Sequence, residues 1–257
     1  MSGSGKPDSK HPNDPYAHLV KPGTPGSAAI TEPPIPAATV VLLRDGDSGV
    51  EVLMLRKNSE IAFGGMWVFP GGRIDPEDYP ADRNTTAAAR IAAAREAQEE
   101  AGIDADPEDF VWFSHWTPPP VTPKRFTTWF FAARVPQEHL ITIDGGEIHD
   151  HQWINPGEAL LRHRDNEIDI VPPTWVTLHY LSQHHRVEDL LAFLVAQPAR
   201  IYETHLGKTS EGDRVAMWEG DAGYEAWDAT LEGPRHRLVM AKGGFIFDDS
   251  GRIKPGK

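Results

Sequence analysis

Glu96, Glu99 and Glu100 fall at spacings i, i+3 and i+4 in the run Arg95-Glu96-Ala97-Gln98-Glu99-Glu100-Ala101-Gly102-Ile103. In a helix, at about 100° per residue, the three carboxylates share one arc of roughly 100°. Like charges so placed repel by roughly a few tenths of a kcal/mol per pair in water, and gathering them out of water requires counter-charge. A hard divalent cation, Mg²⁺ or Mn²⁺, supplies it: such ions prefer oxygen donors, bind phosphate oxygens and activate water. The plainer reading of the same residues is a solvated acidic face with Arg95 as an intrahelical partner. Upstream, Phe69-Pro70-Gly71-Gly72 ends a short apolar run, and paired glycines let backbone approach a ligand or ion closely.

The helix that carries the acids is expected over residues 85–101. Asn84, Thr85 and Thr86 offer caps, the alanines favour helix, and Gly102 suits a C-terminal stop. Its buried side is expected to hold Ala87, Ile91, Ala94 and Ala101, opposite the acids. Strands are expected over 38–43 and 51–55, joined by Asp45-Gly46-Asp47-Ser48-Gly49 as a hairpin, and over 66–69, ending at Pro70. Further strands are expected at 111–113, 125–133 and 151–154, and near 200–202, 215–218, 237–241 and 245–247. Helical patterns cover 156–163, 174–182 and 187–196. Strands mixed with helices predict a layered α/β or α+β domain.

The chain has 257 residues, 25 Lys plus Arg against 38 Asp plus Glu, and a formal charge of −13. That field repels nucleic acid and anionic membrane, so neither is an expected partner, and a small anionic substrate needs local cations or a metal. The absence of cysteine excludes disulfides, thiolate metal sites and a cysteine nucleophile. No stretch approaches the roughly 18 apolar residues of a spanning helix. Residues 1–36 hold eight prolines and four glycines and read as a flexible arm. The arm lacks a secretory or transit pattern, which makes the cytoplasm the default location. The twelve histidines include no ligand-spaced zinc motif.

Taken together, Gly72, the helix Arg95-Glu96-x-x-Glu99-Glu100, and Gly102-Ile103 resemble the signature of the Nudix hydrolases. The resemblance covers residues 37–163 well. It implies a Nudix-type α/β/α sandwich with a mixed sheet over 37–199, followed by a C-terminal extension over 200–257. It further implies a Mg²⁺- or Mn²⁺-dependent hydrolase that splits a diphosphate bond by attack of activated water. Carried over, Glu96, Glu99 and Glu100 bind the metal, the Gly72 backbone completes its shell, Glu96 helps activate water, and Arg95 orients the helix. Glu147, shortly before a Trp-containing strand, is the candidate general base or extra ligand, with Asp150 second. Arg56 and Arg73 are the candidate substrate-binding cations, with Lys57, Lys124 and Arg125 further choices. One departure concerns the loop. The family places a Glu eight residues before the arginine, where this chain has Ala87, and Gly72 lies 23 residues before Arg95. Asp75, Glu77 and Asp78 are the acids available to stand in.

Within the family, Leu53-Met54-Leu55-Arg56-Lys57-Asn58-Ser59 followed by Phe63-Gly64-Gly65-Met66-Trp67-Val68-Phe69-Pro70-Gly71-Gly72 looks like the coenzyme A diphosphatase branch, although the branch's usual arginine is Ile61 here. Coenzyme A or acyl-coenzyme A is therefore the first substrate expectation, with ADP-ribose, NADH and dinucleotides as rivals. A Nudix-fold nucleotide-binding or protein-interaction module with weakened catalysis is the alternative that the displaced glutamate raises. Many Nudix enzymes resemble dimers, which admits a homodimer here.

Overall fold

The computed structural model describes residues 33–58, 64–120, 122, 125–136, 140–143 and 145–251. The expected N-terminal arm lies almost wholly outside these, as do Ile61 and Lys124.

β1 (Ile35–Gly46) and β2 (Gly49–Lys57) form the expected hairpin, paired from Gly46 opposite Gly49 to Leu43 opposite Val52. Their apolar runs do not alternate because the sheet is covered on both faces. Val40, Val41, Leu42, Leu43, Leu53 and Leu55 are all fully buried. β6 (Phe126–Arg134) runs parallel to β1, β5 (Val111–Thr117) is antiparallel to β6, and β8 (Arg200–Glu203) is parallel to β5. On the other side, β3 (Trp67–Val68) and β7 (Ile148–Ile154) pair with β2. Beyond the expected end at Pro70, the two glycines open a further short strand. β2 pairs with β1 only at residues 43–46, which leaves residues 37–39 of β1 to bind β4 (Gly71–Arg73). The sheet has eight strands and is mixed.

α1 (Thr85–Ala101) has the expected bounds. Asn84 accepts a hydrogen bond from the Ala87 amide at 2.9 Å, and Gly102 ends the helix at φ 68°. The expectation for its buried side holds only at Ala101: Ile91 is 39% exposed, and the buried residues are Ala88, Ala89, Ala92, Ala93, Ala97, Glu100 and Ala101. Glu96 and Glu100 point within the same arc as these alanines, one and two turns further along. The buried arc therefore carries acids beside alanines in its last two turns, still against the sheet at β4.

Ala38, Val40 and Leu42 of β1 share a core with α1, so the equally buried Val41 and Leu43 face the other way. On that side lie α2 (Pro156–Arg164), α3 (Pro172–Leu181) and α4 (Val187–Val195), with α4 against β1, β5 and β6. α3 starts two residues before the expected 174 because prolines, lacking an amide hydrogen, are tolerated in a first turn. The layers make an α/β/α sandwich.

The chain divides into compact units after Thr204, so β8 closes the larger unit rather than opening the C-terminal extension. Within the second unit, β9 (His205–Lys208), β10 (Arg214–Met217), β11 (Arg237–Ala241) and β12 (Gly244–Asp248) form an antiparallel sheet in the order β12-β11-β10-β9. Its buried Arg237 donates from Nε and Nη2 to Asp221, each at 2.6 Å. Although burial opposes it, these bonds hold the Asp221 carboxyl below its ordinary range.

Alanine contacts set the distance between α1 and the sheet. Ala92→Leu is expected to cost about 1–3 kcal/mol in urea unfolding, whereas Ile91→Ala on the half-exposed side changes stability by about 0.5 kcal/mol or less.

Candidate active site

The acidic end of α1 faces β4, the last residue of β2 and the turn before β7. Arg95 organises the loop side. Its Nε and Nη2 donate to the two oxygens of Asp78 at 3.2 and 3.0 Å, and Nη2 also reaches the Arg73 carbonyl at 3.0 Å. Nη1 donates to Glu96 at 2.9 Å and Glu99 at 3.1 Å. Asp78 is only 4% exposed and sits in a short turn (Pro76–Asp78), where it also accepts from the Asp75 amide at 2.8 Å. Of the three acids available to stand in for the displaced loop glutamate, Asp78 is the one bonded to Arg95 twice. Asp75 lies 3.7 Å away and is half exposed. The bonds from Asp78, opposed by burial and joined by those from Glu96, push the Arg95 pKa further above its ordinary value.

Glu96 lies against β4. A Cβ on Gly72 would stand 2.2 Å from Glu96 Oε1, so glycine alone permits this approach, and Gly71 is similarly pressed on the Ala38 carbonyl. Glu100 is 4% exposed with both oxygens engaged: Oε1 accepts from Lys57 Nζ at 2.7 Å and Oε2 from the Gly71 amide at 3.0 Å. Lys57 Nζ also stands 3.5 Å from Glu147 Oε2. The Glu147 carbonyl accepts from the Asn58 amide at 2.8 Å, which ties its turn to the end of β2. Burial raises the carboxyl pKa of both Glu96 and Glu100, partly offset by Arg95 and Lys57 respectively. Burial opposes the charge on Lys57, but the adjacent Glu100 carboxylate holds its ammonium above the usual value.

The structure therefore gathers Gly72, Arg95, Glu96, Glu100 and Glu147 at one place, with Glu99 at the exposed rim, its side chain 57% exposed. Arg56 and Arg73 are both exposed, and Arg73 meets Arg95 only through its carbonyl, which accepts from Arg95 Nη2. Asp150 accepts from the His151 amide at 2.8 Å and pairs across the sheet with Arg56. The link from Lys57 to Glu100 was missed in the sequence. The two residues are 43 positions apart, and only the packing of α1 against β1 and β4, with β2 paired to β1, brings them together. Among the described residues no three His, Asp or Glu side chains form a ready metal cage. The donors nevertheless suit a hard cation: two adjacent carboxylates with raised pKa beside a glycine that admits close approach, all oxygen ligands.

With this geometry in place, comparison with known proteins is informative. The sequence matches the NUDIX domain over residues 33–176, and the chain belongs to the Nudix family, hydrolases acting on diphosphate bonds. A search of curated proteins returns no match. The crystal structure of a Nudix hydrolase from Alicyclobacillus acidocaldarius is similar in fold, with 23% identity, TM-score 0.56, and 65% of this chain and all of that one covered. The MutT protein of Methanosarcina mazei Go1 aligns with 20% identity and TM-score 0.44, over 60% of this chain and 96% of its own. Among the described residues no helix is long and apolar enough to cross a membrane.

If Asp78 carries the load on Arg95, Asp78→Ala should cost about 2 kcal/mol in urea unfolding and lower turnover about tenfold or more. Asp75→Ala, at an exposed and longer contact, should change stability by about 0.5 kcal/mol or less.

Proposed function

We propose that this chain hydrolyses the diphosphate bond of a nucleoside diphosphate derivative, with Mg²⁺ or Mn²⁺ held by Glu96, Glu99 and Glu100 and completed by the Gly72 backbone. The observation that carries the reading is the approach of Glu96 and Glu100 to the β4 backbone while Arg95 and Lys57 balance their charge. When bound, the cation neutralises charge developing on the phosphate oxygens and lowers the pKa of water. Glu147, exposed at the mouth of the site and tethered at its backbone, accepts the proton of the attacking water at a carboxylate oxygen. As the new P–O bond forms, the bridging P–O bond breaks and two phosphate-bearing products leave. Arg95 fixes the helix against the loop through Asp78, and we assign the exposed Arg56 and Arg73 to substrate charge.

Coenzyme A or an acyl derivative is the first substrate we assign, on the run from Phe63 to Gly72 and on Gly65, whose φ of 78° suits a glycine there. ADP-ribose, NADH and dinucleotides follow. The binding-module alternative drew its support from the displaced loop glutamate, and Asp78 at Arg95 weakens that support.

Incubating the purified protein with a panel of these diphosphates, with Mg²⁺ or Mn²⁺ or with chelator, and weighing the products tests both levels. Metal-dependent release of 3′,5′-ADP from coenzyme A is the expected result. Cleavage of another member retains the reaction and replaces the substrate, while no turnover across the panel restores the binding module. Glu99→Gln, at the exposed rim, should keep the fold and reduce turnover by about a hundredfold or more. Parent-like activity in that variant would remove Glu99 from the ligand set.

A further inference from the structure

We propose that Lys57 is a built-in rival to the divalent cation: its ammonium sets how tightly Glu100 takes up metal, a role that rests on the metal-binding reading above. The ammonium lies 2.7 Å from Glu100 Oε1, and the two side chains are only 13% and 6% exposed. The other Glu100 oxygen is already held by the Gly71 amide at 3.0 Å. A cation arriving at Glu100 must therefore share that carboxylate with the ammonium or displace it, and in this poorly solvated position the two positive charges repel strongly.

A second acceptor is within reach. Glu147 Oε2 lies 3.5 Å from the same Nζ, on a turn fastened to β2 by the Asn58 amide to the Glu147 carbonyl at 2.8 Å and by Asn58 Nδ2 to the Gly146 carbonyl at 3.2 Å. Lys57 can thus pass from Glu100 to Glu147 by a shift of its flexible stem while its backbone stays in register opposite Ile148. Metal uptake then exchanges one partner of the lysine for another and draws Glu147 against the site. Arg95 also donates to two of the proposed ligands, Glu96 at 2.9 Å and Glu99 at 3.1 Å, but its Nε and Nη2 are fixed on Asp78, so its planar fork has no comparable freedom to change partners.

The test uses the full chain at neutral pH. Mn²⁺ is titrated into the parent, Lys57→Met, Lys57→Gln and Lys57→Arg, free ion is read by its paramagnetic resonance signal, and thermal unfolding is followed with Mn²⁺ and with chelator. Both neutral variants should bind Mn²⁺ more tightly than the parent, on the order of tenfold. They should melt lower in chelator and gain more from Mn²⁺ than the parent does, while Lys57→Arg stays near the parent. Having two neutral variants keeps the test decisive if one folds poorly. Mn²⁺ affinity in the neutral variants equal to or weaker than the parent's overturns the proposal and leaves the metal-binding reading standing. A parent that binds no Mn²⁺ overturns that reading and this proposal with it.

Discussion

The site depends on keeping negative charge where helix and burial both oppose it. Glu96, Glu99 and Glu100 occupy the last two turns of α1, the end at which the helix dipole disfavours anions. Two of them are also largely withdrawn from water, which drives their carboxyls toward the protonated form. Left alone, such a helix end would fray or swing its acids outward. The surrounding elements supply the cations and amides that hold them in.

Those counter-charges come from different directions. Arg95, on the helix itself, spans from Glu96 and Glu99 to the carboxylate of Asp78, which is itself almost fully buried. Lys57 comes from the sheet and meets Glu100, while the Gly71 amide takes that residue's second oxygen. The planar, bidentate cation thus pins the loop, and the flexible point charge meets the buried Glu100, each suited to its place. Alanines in the preceding turns bring the helix near enough to the sheet for these contacts to close.

Much of this was readable beforehand where the signal was local. The bounds of α1 follow from Asn84 and Gly102, and the hairpin follows from the Asp45-to-Gly49 turn. The acids could be assigned to one helix because their spacing is short. Which side of α1 is buried was not readable. Its alanines encircle the helix, and Ile91, the one large apolar residue among them, turned out to be half exposed. β4 was hidden because two glycines carry no strand signature, and its existence depends on β1 having an unpaired stretch. Lys57 looked like any surface cation, since the residue that gives it meaning stands far along the chain. Asp78 was one of three equivalent acids until burial separated them.

The lengthened loop between β4 and α1 is fastened to the site by Asp78 on Arg95 and to the helix by the Asn84 cap. Between them Tyr79 rests against the core and Arg83 stacks over its ring at 5.1 Å. Because the carboxylate that braces Arg95 comes before this stretch and the helix cap comes after it, added residues between the two leave both attachments intact. Loop length and site geometry are thereby decoupled, so the segment from Tyr79 to Arg83 is where this scaffold can gain or lose chain without moving its acids.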